Sequence, residues 1–141
     1  MTAFVLDNSV AMRWLLASEK AADQRYAERV LKSLLESEAF VPNLWHLEAA
    51  NVLLGAVNRK TLEVADVERF TVQLESLPVS VDPSTATQAF GHTMSLARAY
   101  RLSSYDAAYL ELAVRRGLPL ATLDKSLLKA AKRSDVEIYL M

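Results

Sequence analysis

Four acids in this chain are of a type and placement that could hold a cation: Asp7, Glu48, Asp106 and Asp124. Asp7 closes the short apolar run Ala3-Phe4-Val5-Leu6, and Asp124 closes Leu120-Ala121-Thr122-Leu123. Asp106 lies among Tyr105, Ala107, Ala108, Tyr109, Leu110 and Leu112, a stretch apolar on nearly every helical face and therefore expected to be buried. A buried carboxylate needs a cation or several donors, or it takes up a proton. Oxygen-rich clusters with no cysteine and few histidines suit Mg²⁺ or Mn²⁺. Two such ions can activate a water and stabilise a leaving oxygen in phosphodiester cleavage. His46 and His92 each stand alone and read as surface or core residues rather than ligands.

Helix capping accounts for the same acids. Asp7, Asp82 and Asp124 all precede expected helices. Ser103 and Asp106 stand in capping-box spacing. Asp82, followed by Pro83 at a good first helical position, is assigned to capping. By position alone Asp7 is indistinguishable from it.

The elements that must position these acids alternate between strand and helix. Short strands are expected at Ala3–Leu6, Ala39–Val41, Val79–Val81 and Pro119–Leu123, with a terminal one at Val136–Leu140. Helices are expected at Asn8–Ala17, Ala21–Ser37, Leu44–Asn58, Leu62–Leu77 and Thr85–Tyr100. Another starts near Leu102 and stops at Gly117, and a last one runs from Asp124 through Arg133. Leu47, Ala50, Leu53, Leu54 and Val57 form the expected apolar stripe of the third helix. Continuous apolar strands alternating with helices indicate an α/β fold with a parallel sheet and right-handed crossovers. In such sheets sites form beyond the carboxyl ends of the strands, where strand order reverses. If the first and fourth strands are neighbours there, Asp7 and Asp124 face each other. Glu48 and Asn51 share one helix face.

The chain has 141 residues, 52% of them hydrophobic, with 3 glycines, no cysteine and a net charge of −1. That length suits one domain, residues 1–141, with a sizeable core. The charge does not advertise a nucleic-acid binder. Absence of cysteine excludes disulfides and thiolate metal sites. No basic, apolar leader and no membrane span is read in the sequence, so a cytoplasmic protein is expected.

The chain resembles the PIN-domain ribonucleases and, within them, the VapC-type toxins of toxin–antitoxin pairs. The resemblance rests on Val5-Leu6-Asp7-Asn8-Ser9-Val10 with Trp14 and Glu19, and on Val41-Pro42-Asn43-Leu44-Trp45-His46-Leu47-Glu48 with Asn51. It continues through Leu102 to Leu110 and Leu120-Ala121-Thr122-Leu123-Asp124. It implies a three-layer α/β/α sandwich around a five-stranded parallel sheet of order 3-2-1-4-5. It also implies an acidic cluster of Asp7, Glu48, Asp106 and Asp124, supported by the polar side chains of Ser9, Asn51 and Thr122. Asn8 departs from the family's common small hydroxyl residue, at a tolerant position. Similar proteins bind Mg²⁺ or Mn²⁺, hydrolyse RNA, pair with a small VapB-type antitoxin and commonly form homodimers. The implied mechanism has Asp7, Asp106 and Asp124 holding one metal that positions a water for in-line attack. Glu48 completes that site or helps hold a second ion.

From Arg98 to Arg133 there are eight basic residues (Arg98, Arg101, Arg115, Arg116, Lys125, Lys129, Lys132 and Arg133) against three acids. Local charge there favours phosphate. Lys125 and Lys129, at i and i+4 just past Asp124, are the expected RNA-backbone contacts. Trp14 and Trp45 read as core residues ahead of interface anchors. Two rival functions remain: a PIN-like module that binds without cutting, and an α/β phosphatase. The second lacks the expected Asp two residues after Asp7, where Ser9 stands.

Overall fold

A computed structural model describes residues 2–141. Four parallel strands form one sheet: β1 (Thr2–Leu6), β2 (Ser37–Val41), β3 (Val79–Val81) and β4 (Leu120–Ala121), in the order β3-β2-β1-β4. Phe4, Val5 and Leu6 are fully buried, as a central parallel strand covered on both faces requires. The chain lays β2 and then β3 on one side of β1 and crosses to place β4 on the other. The reversal point therefore falls between β1 and β4, directly above Asp7.

The helices are α1 (Asn8–Ala11, extended by a 3₁₀ turn to Trp14), α2 (Ala21–Ser33), α3 (Trp45–Asn58), α4 (Val64–Glu75), α5 (Thr85–Gln88), α6 (Met94–Tyr100), α7 (Ser104–Arg116) and α8 (Lys125–Arg133). Helix α7 is the central one, packed against β1, β4, α6 and α8. Residues Ala107 to Ala113 are all buried. Leu110 and Leu112 are 0% and 1% exposed, burial that contributes about 1.5–3 kcal/mol each. Ser103 opens the helix by accepting the Asp106 N–H at 3.1 Å. Gly117 closes it at φ +65°, a left-handed stop that glycine adopts without steric cost.

Several elements differ from expectation. The sheet has four strands rather than five. The segment Val136–Leu140 makes one parallel bridge, Ile138 with Leu120. Its neighbour β4 is only two residues long, and positive φ at Asp135 and Leu140 turns the chain on either side, so a longer ladder cannot form. The second helix stops at Ser33 rather than Ser37; the Ser37 hydroxyl donates to the Ser33 carbonyl at 2.6 Å, and Ser37 already starts β2. The long helix expected over Thr85–Tyr100 is broken into α5, a π-helical stretch at Ala89–Thr93 containing Gly91, and α6. Helix α3 is rotated from its expected phase. It buries Trp45, Ala49, Leu53 and Ala56, leaving Leu47 and Leu54 77% and 61% exposed. The indole of Trp45 enters the core at the first turn and brings small alanines inward behind it. Trp14 is half-buried, its Nε1 donating to the Ala27 carbonyl at 2.8 Å. Among the described residues no helix is long and apolar enough to cross a membrane.

Candidate active site

Asp7 occupies the N-cap position of α1, yet its side chain makes no capping bond. Its Oδ2 instead accepts two hydroxyl hydrogen bonds, from Ser9 at 2.6 Å and Thr122 at 2.7 Å. Each hydroxyl is itself oriented by backbone. Ser9 Oγ accepts the Leu123 N–H at 2.8 Å, and Thr122 Oγ1 accepts the Asp124 N–H at 3.1 Å. Both hydroxyl protons are thereby directed at one carboxylate oxygen, leaving Oδ1 without a donor among the described residues. The strand ends are locked together by the Asp7 N–H, which donates to the Ala121 carbonyl at 3.0 Å. Burial pushes the Asp7 carboxyl up to about 6; the two hydroxyls oppose this, and the charges of Asp106 and Glu48 add to it.

The other three acids are linked to it through their charges: Asp106 and Glu48 act on Asp7, and Asp124 acts on Asp106. Burial and the Asp106 charge raise Glu48, against a 2.5 Å hydrogen bond that its Oε1 accepts from Tyr109. Burial and the Asp124 charge raise Asp106, partly offset by the Ser103 hydroxyl. Asp124 both caps α8, its Oδ1 accepting the Leu127 N–H at 2.9 Å, and stands beside Asp106. Capping and a site role are thus compatible for Asp124, whereas Asp7 is not capping at all. None of the four acids is paired with a Lys, Arg or His among the described residues. Asn51 is exposed and makes no side-chain hydrogen bond there, so it is not brought into the cluster as Ser9 and Thr122 are.

The comparison with known families decides what this arrangement belongs to. Residues 4–133 match the PIN domain family. The chain is a PIN domain. No curated protein matches it. Among solved structures it is similar to PAE2754 from Pyrobaculum aerophilum, at 22% identity and a TM-score of 0.66, over 92% of this chain and 86% of that one. That likeness is one of fold.

PIN domains are typically nucleases that use divalent metal ions. As the side chains stand, no three His, Asp or Glu residues among those described are grouped closely enough to enclose an ion. The donor chemistry of this PIN domain nevertheless fits one. Burial and neighbouring negative charge raise Asp7, Glu48 and Asp106 with no basic side chain to offset them, a deficit a hard divalent cation removes. Beside Asp7, the Oδ1 of Asn8 is buried and has no donor, as a position that faces bound water would be.

Two charged features of this PIN domain differ from the sequence expectation. Asp82 does not cap a helix, and Pro83 does not open one: α5 starts at Thr85 with Ser84 at its N-cap and no side-chain capping bond. Asp82 is 1% exposed, accepts two bonds from Arg115 at 2.6 and 3.2 Å and one from Arg116 at 3.1 Å, and also takes the Ser84 N–H at 3.1 Å. Burial raises its carboxyl, but these donors and positive charges outweigh it and hold Asp82 below the usual range. Arg115 also bonds buried Glu111 through Nε at 2.7 Å. Arg116 lies over the Phe40 ring at 4.3 Å. Both arginines are therefore engaged with Asp82, Arg116 while keeping an exposed side. Lys125 and Lys129 are exposed on α8. Tyr109, whose hydroxyl donates to Glu48, has no local sequence signal of a site role; a tyrosine inside an apolar helix looks like core until its hydroxyl partner is known.

Proposed function

We propose that this PIN domain, acting as one unit over residues 1–141, is a metal-dependent endoribonuclease and the VapC-type toxin of a toxin–antitoxin pair. The observation that carries the reading is the uncompensated carboxylate cluster at the β1/β4 reversal, with Asp7 held by two hydroxyls instead of capping its helix. Asp7, Asp106 and Asp124 are the residues that would hold Mg²⁺ or Mn²⁺, with Glu48 completing the set. When bound, the ion supplies Lewis-acid charge at the phosphodiester and lowers the pKa of a water. Ser9 and Thr122 keep Asp7 in one orientation and favour its ionised form. No side chain in the cluster is required as a covalent nucleophile.

Lys125 and Lys129 supply the positive face for the RNA backbone, beside a depression lined by Tyr100, Arg101, Lys129 and Arg133. The antitoxin and a second copy of the chain are the partners of this reading. Exposed Leu47, Leu54, Val64 and Val72 on α3 and α4 support such partners, as does a cavity of about 470 Å³ lined by Trp45, Leu53 and Leu74. Induced expression tests the toxin role. The wild-type chain should arrest growth and degrade cellular RNA, and Asp106→Asn should do neither. Arrest that persists in Asp106→Asn at equal protein level contradicts the proposal.

A further inference from the structure

Tyr109 is fully buried on α7, where a phenylalanine would give the same apolar contact. A buried hydroxyl costs about 1–3 kcal/mol unless it is hydrogen-bonded. The Tyr109 hydroxyl spends its proton on Glu48 Oε1 at 2.5 Å, 61 residues away in sequence. Behind it stands Asn8, 7% exposed. Its Nδ2 donates to the Trp45 carbonyl at 2.9 Å and lies 3.4 Å from the Tyr109 oxygen. A carbonyl can only accept, so the Trp45 contact fixes which way the Asn8 amide faces. The amide then offers an N–H to the Tyr109 oxygen, and tyrosine's single proton is left for the carboxylate. The result is a one-way chain, Asn8 to Tyr109 to Glu48, in which each bond polarises the next. The Asn8–Tyr109 link is the longer and weaker of the two.

The chain draws on the elements that carry the acids. Asn8 directly follows Asp7. Tyr109 lies three residues past Asp106, on the same face of α7. Trp45, which receives the other Asn8 hydrogen bond, opens the helix turn from which Glu48 projects. We infer that Tyr109 is a positioning residue for Glu48, with Asn8 as its support, so that the carboxylate of Glu48 is already oriented when a divalent ion arrives. The inference rests on the metal-site reading above. It gives Asn8, which departs from the small hydroxyl residue usual in similar chains, a specific job paired with Tyr109.

The test is Mn²⁺ binding by the metal-free protein, followed by electron paramagnetic resonance, for wild type, Tyr109→Phe, Glu48→Gln and the double variant. Circular dichroism confirms that each is folded. Tyr109→Phe keeps the ring and removes only the donor. It should weaken Mn²⁺ binding by about 10- to 100-fold, the range for outer partners of metal ligands. In the Glu48→Gln background the same change should shift binding by less than about twofold, because the hydroxyl acts through Glu48. Wild-type affinity in Tyr109→Phe, or an equal loss in both backgrounds, overturns the inference while leaving the metal site standing. A wild-type chain that binds no Mn²⁺ removes the metal site and the inference together.

Discussion

Thr122 and Asp7, 115 residues apart in sequence, are joined by a 2.7 Å hydrogen bond from Thr122 Oγ1 to Asp7 Oδ2. The bond crosses the reversal point of the sheet and ties the end of β4 to the end of β1. It favours the ionised form of Asp7 against burial. Thr122→Val removes the donor and keeps the shape. The Asp7 carboxyl should then rise further, and the acid limb of the cleavage pH profile should move up by about one unit, the equivalent of one charge-assisted hydrogen bond. A pH–rate series on the two proteins checks this; an unmoved acid limb contradicts it.

Asp7 itself burdens the metal-free fold. Its carboxyl sits at about 6 when folded, against an ordinary value of 3.8. Between those values the folded chain holds a proton that the unfolded chain has released, so stability falls as pH climbs through that window and stays lower above it. Asp7→Asn removes the burden and can still accept from Ser9 and Thr122. In EDTA at about pH 7.5 the variant should be more stable than wild type by about 1–3 kcal/mol, with the gain gone near pH 4. Urea denaturation at both pH values measures it. A variant less stable at the higher pH contradicts the assignment of Asp7 as an uncompensated buried charge.

Asp82 has the opposite sign. Its carboxyl is held below the usual range when folded, so it stabilises above the unfolded-state pKa, and that contribution disappears as pH falls through the folded value. Asp82→Asn should cost about 2–3 kcal/mol at neutral pH. That is below the range for a fully buried pair because the Arg115 and Arg116 side chains are 25% and 34% exposed. The deficit should narrow as wild-type Asp82 becomes protonated. A deficit constant from neutral pH to below the carboxylate range, measured by denaturant midpoints, contradicts this.

The basic surface is narrower than the count of charges implies, since the charges of Arg115 and Arg116 are paired with Asp82. Lys125→Ala with Lys129→Ala should weaken RNA binding and flatten its salt dependence by about 1.4 in logarithmic slope, two phosphate contacts at roughly 0.7 each. Binding titrations over a range of salt, with an inactive variant as the parent, check this. An unchanged slope removes both lysines from the interface.

The separation of Asp7 from Asp82 was out of reach of the sequence, because both are strand-end acids ahead of a helix. What divides them is long-range: hydroxyls from Ser9 and Thr122 in one case, two arginines from α7 in the other. The parallel α/β sheet and the central burial of β1 and α7 were legible, because continuous apolar runs leave few other places to go. The phase of α3 was not. Leu47 and Leu54 look like a core stripe, and only the insertion of Trp45 turns Ala49 and Ala56 inward instead. The fifth strand failed for a related reason, since the pairing length of Val136–Leu140 is limited by two-residue β4 rather than by its own residues. Tyr109 was hidden because nothing local distinguishes a tyrosine that packs from one that also donates to Glu48.

The most direct measurement of the central claim is cleavage of total RNA by the purified chain with Mg²⁺, with Mn²⁺ and with EDTA, beside Asp7→Asn. The account predicts cutting with either ion, none in EDTA, and loss of cutting in the variant while it remains folded. Cleavage by Asp7→Asn at the wild-type rate, or wild-type cleavage undiminished in EDTA, would contradict it.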